Sequence, residues 1–323
     1  MHRRITNTHL GVASQLCIET NNWSRMCQIP SFEALKDALL DISQPLGKRT
    51  RAVFYLRTRG QQEDLHVLLK ALQNRNDTEL MRHELAYVIG QFQHSGACSV
   101  LEAILQDEAD DSMVRHEAAE ALGAIGQKES VQTLKKFVDH SDPEISETCR
   151  LAIDLIQYKI NKENAKCDES NLDRNPYLSV DPAPAFEKSV PIETLESILL
   201  DQSRPLFERY RAMFSLRNRK TQESAMALTK GLNDKSRLFR HEIAYVMGQM
   251  ENPVTVSALK RLLLDESEHR MVRHEAAEAL GAIGSAECAD ILIKFQLDQD
   301  QVVRESCEVA LDIMDYWSSS KQE

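Results

Sequence analysis

Met113-Val114-Arg115-His116-Glu117-Ala118-Ala119-Glu120-Ala121-Leu122-Gly123-Ala124-Ile125-Gly126 occurs a second time, unchanged, from Met271 to Gly284. At 100° per residue, Val114, Ala118, Ala121, Leu122 and Ile125 gather on one apolar stripe about 100° wide, the mark of an amphipathic helix. Asp110, Asp111 and Ser112 supply capping side chains at its start, and Gly123 and Gly126 suit its termination. The Phe239–Met250 stretch patterns in the same way, with Phe239, Ile243, Val246, Met247 and Met250 on one stripe.

The two copies lie 158 residues apart, and the same offset relates Arg82-His83-Glu84-Leu85-Ala86-Tyr87-Val88 to Arg240-His241-Glu242-Ile243-Ala244-Tyr245-Val246. Glu147-Thr148-Cys149 likewise matches Glu305-Ser306-Cys307. With a slip of two residues, Arg49-Thr50-Arg51-Ala52 matches Arg209-Tyr210-Arg211-Ala212. Within each half the units step again: His83 to His116 is 33 residues, and so is His241 to His274. A helical pattern at this period predicts an all-α solenoid of helix pairs, four to a half. The expected organisation is an N-terminal extension over 1–30, one half over 31–158, a linker over 159–190, a second half over 191–317 and a tail over 318–323. The linker is expected to be exposed, because its start is polar and Asp181-Pro182-Ala183-Pro184 cannot continue a helix.

Composition excludes several classes. With 39 Lys and Arg against 50 Asp and Glu, the net charge is −11, which disfavours duplex DNA and anionic membranes as partners. The chain has 11 Gly, 9 Pro and 6% aromatics, too few turn and strand formers for an all-β fold. There is no apolar run of about 18 residues and no apolar stretch behind Met1-His2-Arg3-Arg4, so neither a membrane span nor a secretory signal is expected. Cys17, Cys27, Cys98, Cys149, Cys167, Cys288 and Cys307 are scattered without a C-x-x-C pair, and read as reduced thiols, mostly small core fillers.

Four histidines are followed directly by glutamate: His83-Glu84, His116-Glu117, His241-Glu242 and His274-Glu275. Ordinary composition would give about one such pair by chance. The pairs share one helical register and occupy only the inner two units of each half. The outer units carry Thr50-Arg51, Glu147-Thr148, Tyr210-Arg211 and Glu305-Ser306 there, so the pair is not part of what the repeat needs to fold. On the helical wheel His116 lies opposite the apolar stripe, which argues against a core histidine, and Glu117 borders the stripe. Imidazole with carboxylate and no thiolate suits iron, manganese or zinc. Two His plus a carboxylate, with positions left open, is the ligand set of non-haem iron that activates oxygen. Halves that face each other would bring two such sites together. Eight candidate ligands exceed what two open sites need, leaving some carboxylates for a cationic substrate such as an amine; the residues alone do not say which. The four paired histidines carry neither H-E-x-x-H nor Glu-x-x-His, and phosphate loops and G-x-S-x-G are absent.

Two halves of four HEAT-like repeats, with His-Glu pairs in the inner two units of each, resemble the deoxyhypusine hydroxylase (deoxyhypusine monooxygenase) family. The likeness runs from Phe32 to Trp317 and includes Asn175-Pro176-Tyr177-Leu178-Ser179-Val180-Asp181-Pro182-Ala183-Pro184 in the linker. It implies two iron ions per chain, with O2 as co-substrate, and hydroxylation of a deoxyhypusine side chain on the hypusine-bearing eukaryotic translation factor. By the family's pattern His83, His116 and Glu117 would hold one iron, and His241, His274 and Glu275 the other, while Glu84 and Glu242 would grip the substrate amine. The protein substrate is the one partner this implies; a cytoplasmic monomer is expected, with neither nucleic acid nor membrane. The alternative is a non-catalytic HEAT-like scaffold that binds a protein, since Ala121-Leu122-Gly123 also resembles phycobilin-lyase-like repeats. Such a scaffold has no need of four His-Glu pairs. A zinc or manganese hydrolase on the same scaffold would turn over without O2.

Overall fold

The computed structural model describes residues 30–165, 173–177 and 179–320. Their regular structure is sixteen α-helices in eight pairs, with four short 3-10 turns. The first half holds α1 (Phe32–Leu40) and α2 (Leu46–Arg59), α3 (Gln62–Leu72) and α4 (Glu79–Phe92), α5 (Cys98–Gln106) and α6 (Ser112–Ile125), and α7 (Val131–Leu134) and α8 (Pro143–Ala165). The second holds α9 (Ile192–Leu200) and α10 (Leu206–Arg219), α11 (Gln222–Lys230) and α12 (Arg237–Met250), α13 (Val256–Leu264) and α14 (Arg270–Ile283), and α15 (Ala286–Phe295) and α16 (Gln301–Ser320). No described helix is long and apolar enough to cross a membrane.

The repeated fourteen-residue stretch is α6 and α14. Asp111 caps α6, its side chain accepting from the Met113 N–H, and Gly126 ends it in the left-handed region at φ 82°. Gly123 lies inside the helix rather than at its end. A Cβ there would stand 2.9 Å from the Ala152 Cα of α8, so the glycine lets two inner helices approach backbone to backbone. Gly90 serves the same purpose between α4 and Ala121 of α6, where a Cβ would be 2.8 Å from the Ala121 Cα. The paired Met113, Met271 and Met247 are fully buried fillers. Of the cysteines, Cys149, Cys288 and Cys307 are buried and free and Cys98 is half-buried; Cys17, Cys27 and Cys167 lie outside the described residues, as do 1–29 of the expected extension.

Four buried arginines tie their repeats to the next. Arg82 donates through Nε to the Leu72 carbonyl of its own pair, at 3.0 Å, and through its two other nitrogens to Asp110 of the following unit, at 2.5 and 2.6 Å. Arg49 does the same with the Leu39 carbonyl and Asp77, Arg209 with the Leu199 carbonyl and Asp234, and Arg273 with the Leu263 carbonyl and Asp298. A guanidinium so enclosed is tolerable only because its donors are met.

The even-numbered helices stack along the inside: α2, α4, α6 and α8 in one half, α10, α12, α14 and α16 in the other. The halves then close on each other at both ends. Helix α16 packs on α2 and α4, and α8 packs on α10 and α12. Arg51 pairs with Asp312, and the Tyr55 and Tyr316 hydroxyls meet at 2.5 Å. At the N-terminal ends of the inner helices, Arg270 bridges to Glu79 and Asp111, and Arg237 to Asp142 and Glu144.

Two features differ from the sequence reading. Helix α8 continues through Ala165 rather than stopping near Tyr158. Tyr177 and residues 179–186 are built in rather than exposed, while 166–172 and 178 lie outside the described residues: Ala183 and Tyr177 are buried, the Val180 backbone donates to and accepts from the Gln91 amide, and Asp181 binds the fully buried Arg217 at 2.6 and 2.9 Å. Proline rules out helix here, but a buried extended segment is stable when side chains supply its backbone partners.

Replacing Arg82 with Ala strands a buried Asp110 and should cost about 3–5 kcal/mol in urea denaturation. Burial, then Asp142, push the Glu144 carboxyl up to about 8 against the pull of Arg237, from 4.5 in a free chain. Between those values the folded chain holds a proton that the unfolded chain has lost, so stability is complete below 4.5 and falls as pH rises through 8. The melting temperature should therefore decline from about pH 5 to about pH 8 and level off above, the window between the two values, and Glu144→Gln should flatten the decline.

Candidate metal centre

The four motif histidines stand on four inner helices, His83 on α4, His116 on α6, His241 on α12 and His274 on α14. Ring centroids within a half are 5.5 Å apart for His83 and His116, and 5.3 Å for His241 and His274. Across the halves they are just as close: His83 to His274 at 5.2 Å, His116 to His241 at 5.8 Å, His83 to His241 at 6.1 Å. The motifs therefore form one cluster and not two distant pockets. His116 and His274 are 0% exposed. Lying opposite the apolar stripe did not leave His116 on an open face, because the second half covers that face.

The carboxylates repeat across the pseudo-twofold. His83 Nε2 is 3.3 Å from Glu117 Oε2, and His241 Nε2 is 3.4 Å from Glu275 Oε2. His83 Nδ1 also lies 3.2 Å from Glu84 Oε1, the arrangement in which a carboxylate orients an imidazole and leaves its other nitrogen for a metal. Ligand atoms of His83, His116 and Glu117 all fall within 4.8 Å of one another, as do those of His274, Glu275 and Glu278, and those of His83, His241 and His274. Glu278 thus occupies the tight second-half trio where His241 was expected, and His241 groups with the imidazoles on either side.

Burial opposes charge on His83, but Glu117 and Glu84 overcome it and hold the ring's pKa well above the usual imidazole value. His116 goes the other way. Burial, then the charges of His83 and His241, keep it well below. Burial first, then Glu117 and Asp181, push Glu242 up to about 8 against Arg217, and burial with neighbouring carboxylates raises Glu275, Glu120 and Glu278 well above the ordinary range. Neither ring nitrogen of the fully buried His116 has a hydrogen-bond partner. Buried imidazole nitrogens without partners are costly, and lone pairs of that kind, with carboxylates beside them and no thiolate, fit a non-haem metal.

The family model described as HEAT repeats matches residues 65–154, 192–270 and 263–312. The deoxyhypusine hydroxylase of Danio rerio is 46% identical over 297 residues, covering 92% of this chain and 95% of its own. That of Candida albicans is 46% identical over 306 residues, covering 91% and 95%. The chain belongs to the deoxyhypusine hydroxylase family. A solved structure of human deoxyhypusine hydroxylase in complex with glycerol matches with a TM-score of 0.82 at 44% identity, over 88% of this chain and 96% of that one. All eight of the His and Glu residues in the four motifs converge on one buried region.

The sequence reading missed part of the surroundings. Glu120 and Glu278, one turn beyond His116 and His274, lie among the same charges; their signal is the repeated His-Glu-Ala-Ala-Glu. Tyr87 and Tyr245, also 158 residues apart, meet hydroxyl to hydroxyl at 3.0 Å across the halves. Tyr245 accepts from the Gln249 amide at 2.8 Å, and Gln249 accepts from Arg217, which holds Asp181. A chain of polar contacts thus links the inter-half segment to the layer beside the histidines. Tyr245→Phe strands the Gln249 donor and should lower stability by about 1–3 kcal/mol in chemical denaturation, whereas Tyr87→Phe, which spares that bond, should cost less.

Proposed function

We propose that this chain hydroxylates the deoxyhypusine side chain of the hypusine-bearing eukaryotic translation factor, in an O2-dependent reaction at a pair of iron ions. One observation carries the reading. Four His-Glu motifs from two duplicated halves converge in a single buried cluster, with His116 left without hydrogen-bond partners, in a chain that aligns over nine-tenths of its length with hydroxylases of that name.

His83, His116 and Glu117 would hold one iron and His241, His274 and Glu275 the other; the metal would supply the oxygen activation that hydroxylating an unactivated C–H bond requires. The chain's own residues do the rest. Met113, Met271, Leu80 and Leu238, all at most 1% exposed, close the N-terminal side of the cluster against water. Glu84 orients His83 through Nδ1. Glu242, with an oxygen that lacks a partner, is placed to accept from an ammonium group and so hold the carbon chain in a fixed line past the histidines. The negative charge of the chain favours approach of a cationic side chain. Solution as a cytoplasmic monomer fits this role.

The test is metal loading with turnover. After anaerobic Fe(II) loading the wild type should retain two irons per chain and add one oxygen atom to the modified factor, read by intact mass, only when O2 is admitted. His116→Ala and His274→Ala should each lose iron and at least about a hundredfold of activity. Full activity without iron, or without O2, would end the proposal. Binding of the factor with no turnover under any metal would favour the scaffold reading instead.

A further inference from the structure

Two groups of carboxylates flank the imidazole cluster, and each draws on both halves. Glu242 of α12 lies among the charges of Glu117 and Glu120 of α6, and Glu84 of α4 among those of Glu275 and Glu278 of α14. By sequence the two groups are copies: Glu84 and Glu242, Glu117 and Glu275, and Glu120 and Glu278 are each 158 residues apart.

By bonding they are no longer equivalent. Beside Glu84 the polar atoms are used within the protein. Glu84 Oε1 meets His83 Nδ1 at 3.2 Å, Glu278 Oε1 accepts from the Ser306 hydroxyl at 3.4 Å, and Thr50 donates to the Leu46 carbonyl at 3.0 Å. The counterparts beside Glu242 are Glu242 itself, Thr148 in place of Ser306, and Tyr210 in place of Thr50. Glu242 Oε1, the Thr148 hydroxyl and the Tyr210 hydroxyl all lack a hydrogen-bond partner, although these residues are 2%, 1% and 0% exposed. Tyr210 feels the charges of Glu242 and Glu120 directly. Two buried oxygens without partners, on residues close enough to feel each other's charge, are costly unless something donates to them. An alkylammonium has three N–H donors and no acceptor, which suits this set of oxygens.

We propose that the amine of the substrate side chain binds in the chamber of Glu242, Glu120 and Tyr210 and not in its duplicate beside Glu84, so that one copy of a doubled pocket has become the recognition pocket and Tyr210 and Glu120 determine its specificity. This rests on the function proposed above for the substrate, but the asymmetry stands on the bonding of the chain itself.

The experiment is calorimetric titration of the iron-loaded protein with two probes, the deoxyhypusine-bearing factor and free spermidine, which carries the same aminobutyl-amine unit. Tyr210→Phe, Glu120→Gln and Glu242→Gln should each weaken both probes by about tenfold, while Ser306→Ala, in the duplicate chamber, should stay within about twofold. Tyr210→Phe removes a hydroxyl that has no partner in the free protein, so its melting temperature should hold or rise even as KM increases and kcat stays within about twofold. A tyrosine needed only for packing or folding would not separate the two readouts. Equal losses from both chambers, or an unchanged affinity in Tyr210→Phe, would overturn the inference and leave the proposed function standing. Chamber-dependent binding of spermidine with no binding of the factor would do the reverse. Failure of the wild type to bind either probe would overturn both.

Discussion

Imidazoles and carboxylates are held out of water where the two halves meet, and the cost of keeping them there governs the rest of the structure. An ion or a dipole in a dry site must be answered by another group. His83 is answered by Glu117 and Glu84, and Tyr87 by Tyr245. His116 is answered by nothing in the chain. That graded satisfaction distinguishes a centre built to receive something from a polar core that is complete in itself.

Such a cluster demands a rigid frame, and the repeat supplies one. Buried arginines pin four of the pairs to the next, while glycines at Gly90 and Gly123 let inner helices close to backbone contact. With spacing set at both levels, residues one turn apart on neighbouring helices stay in register over two further turns. His83 meets His241, and Tyr87 meets Tyr245, as a consequence of that register. The closure of α16 on α2 and of α8 on α10 turns what would be an open solenoid into a structure whose inner face is enclosed. Open solenoids leave that face to solvent; here it has become an interior.

Duplication explains why the centre is nearly symmetric, and divergence explains where it is not. The histidine-bearing helices α6 and α14 kept fourteen residues unchanged. The outer units were free to differ, and it is from them that Tyr210 and Thr50, or Thr148 and Ser306, enter the two sides of the cluster differently. The inter-half segment adds a further asymmetry, since Asp181 reaches Arg217 on one side while Val180 meets Gln91 by its backbone on the other.

The all-α class, the halving of the chain, the eight helix pairs and the eight His and Glu residues were all readable from the order of residues, because helical period and exact repetition are local and leave their mark directly in the chain. Asp111 and Gly126 were readable as caps for the same reason. The burial of His116 was not, since a helical wheel knows one helix and the covering surface comes from residues more than a hundred positions away. Gly123 looked like a terminator because nothing local reveals that Ala152 lies against it, and the Asp181-Pro182 stretch looked exposed because its partners, Gln91 and Arg217, are on distant helices. Which imidazoles and carboxylates would gather was thus written in the sequence, but which of two equal copies would keep its hydrogen-bonding capacity unspent was decided only by packing, because satisfaction of a buried donor or acceptor depends on atoms brought near in space and not on those near in the chain.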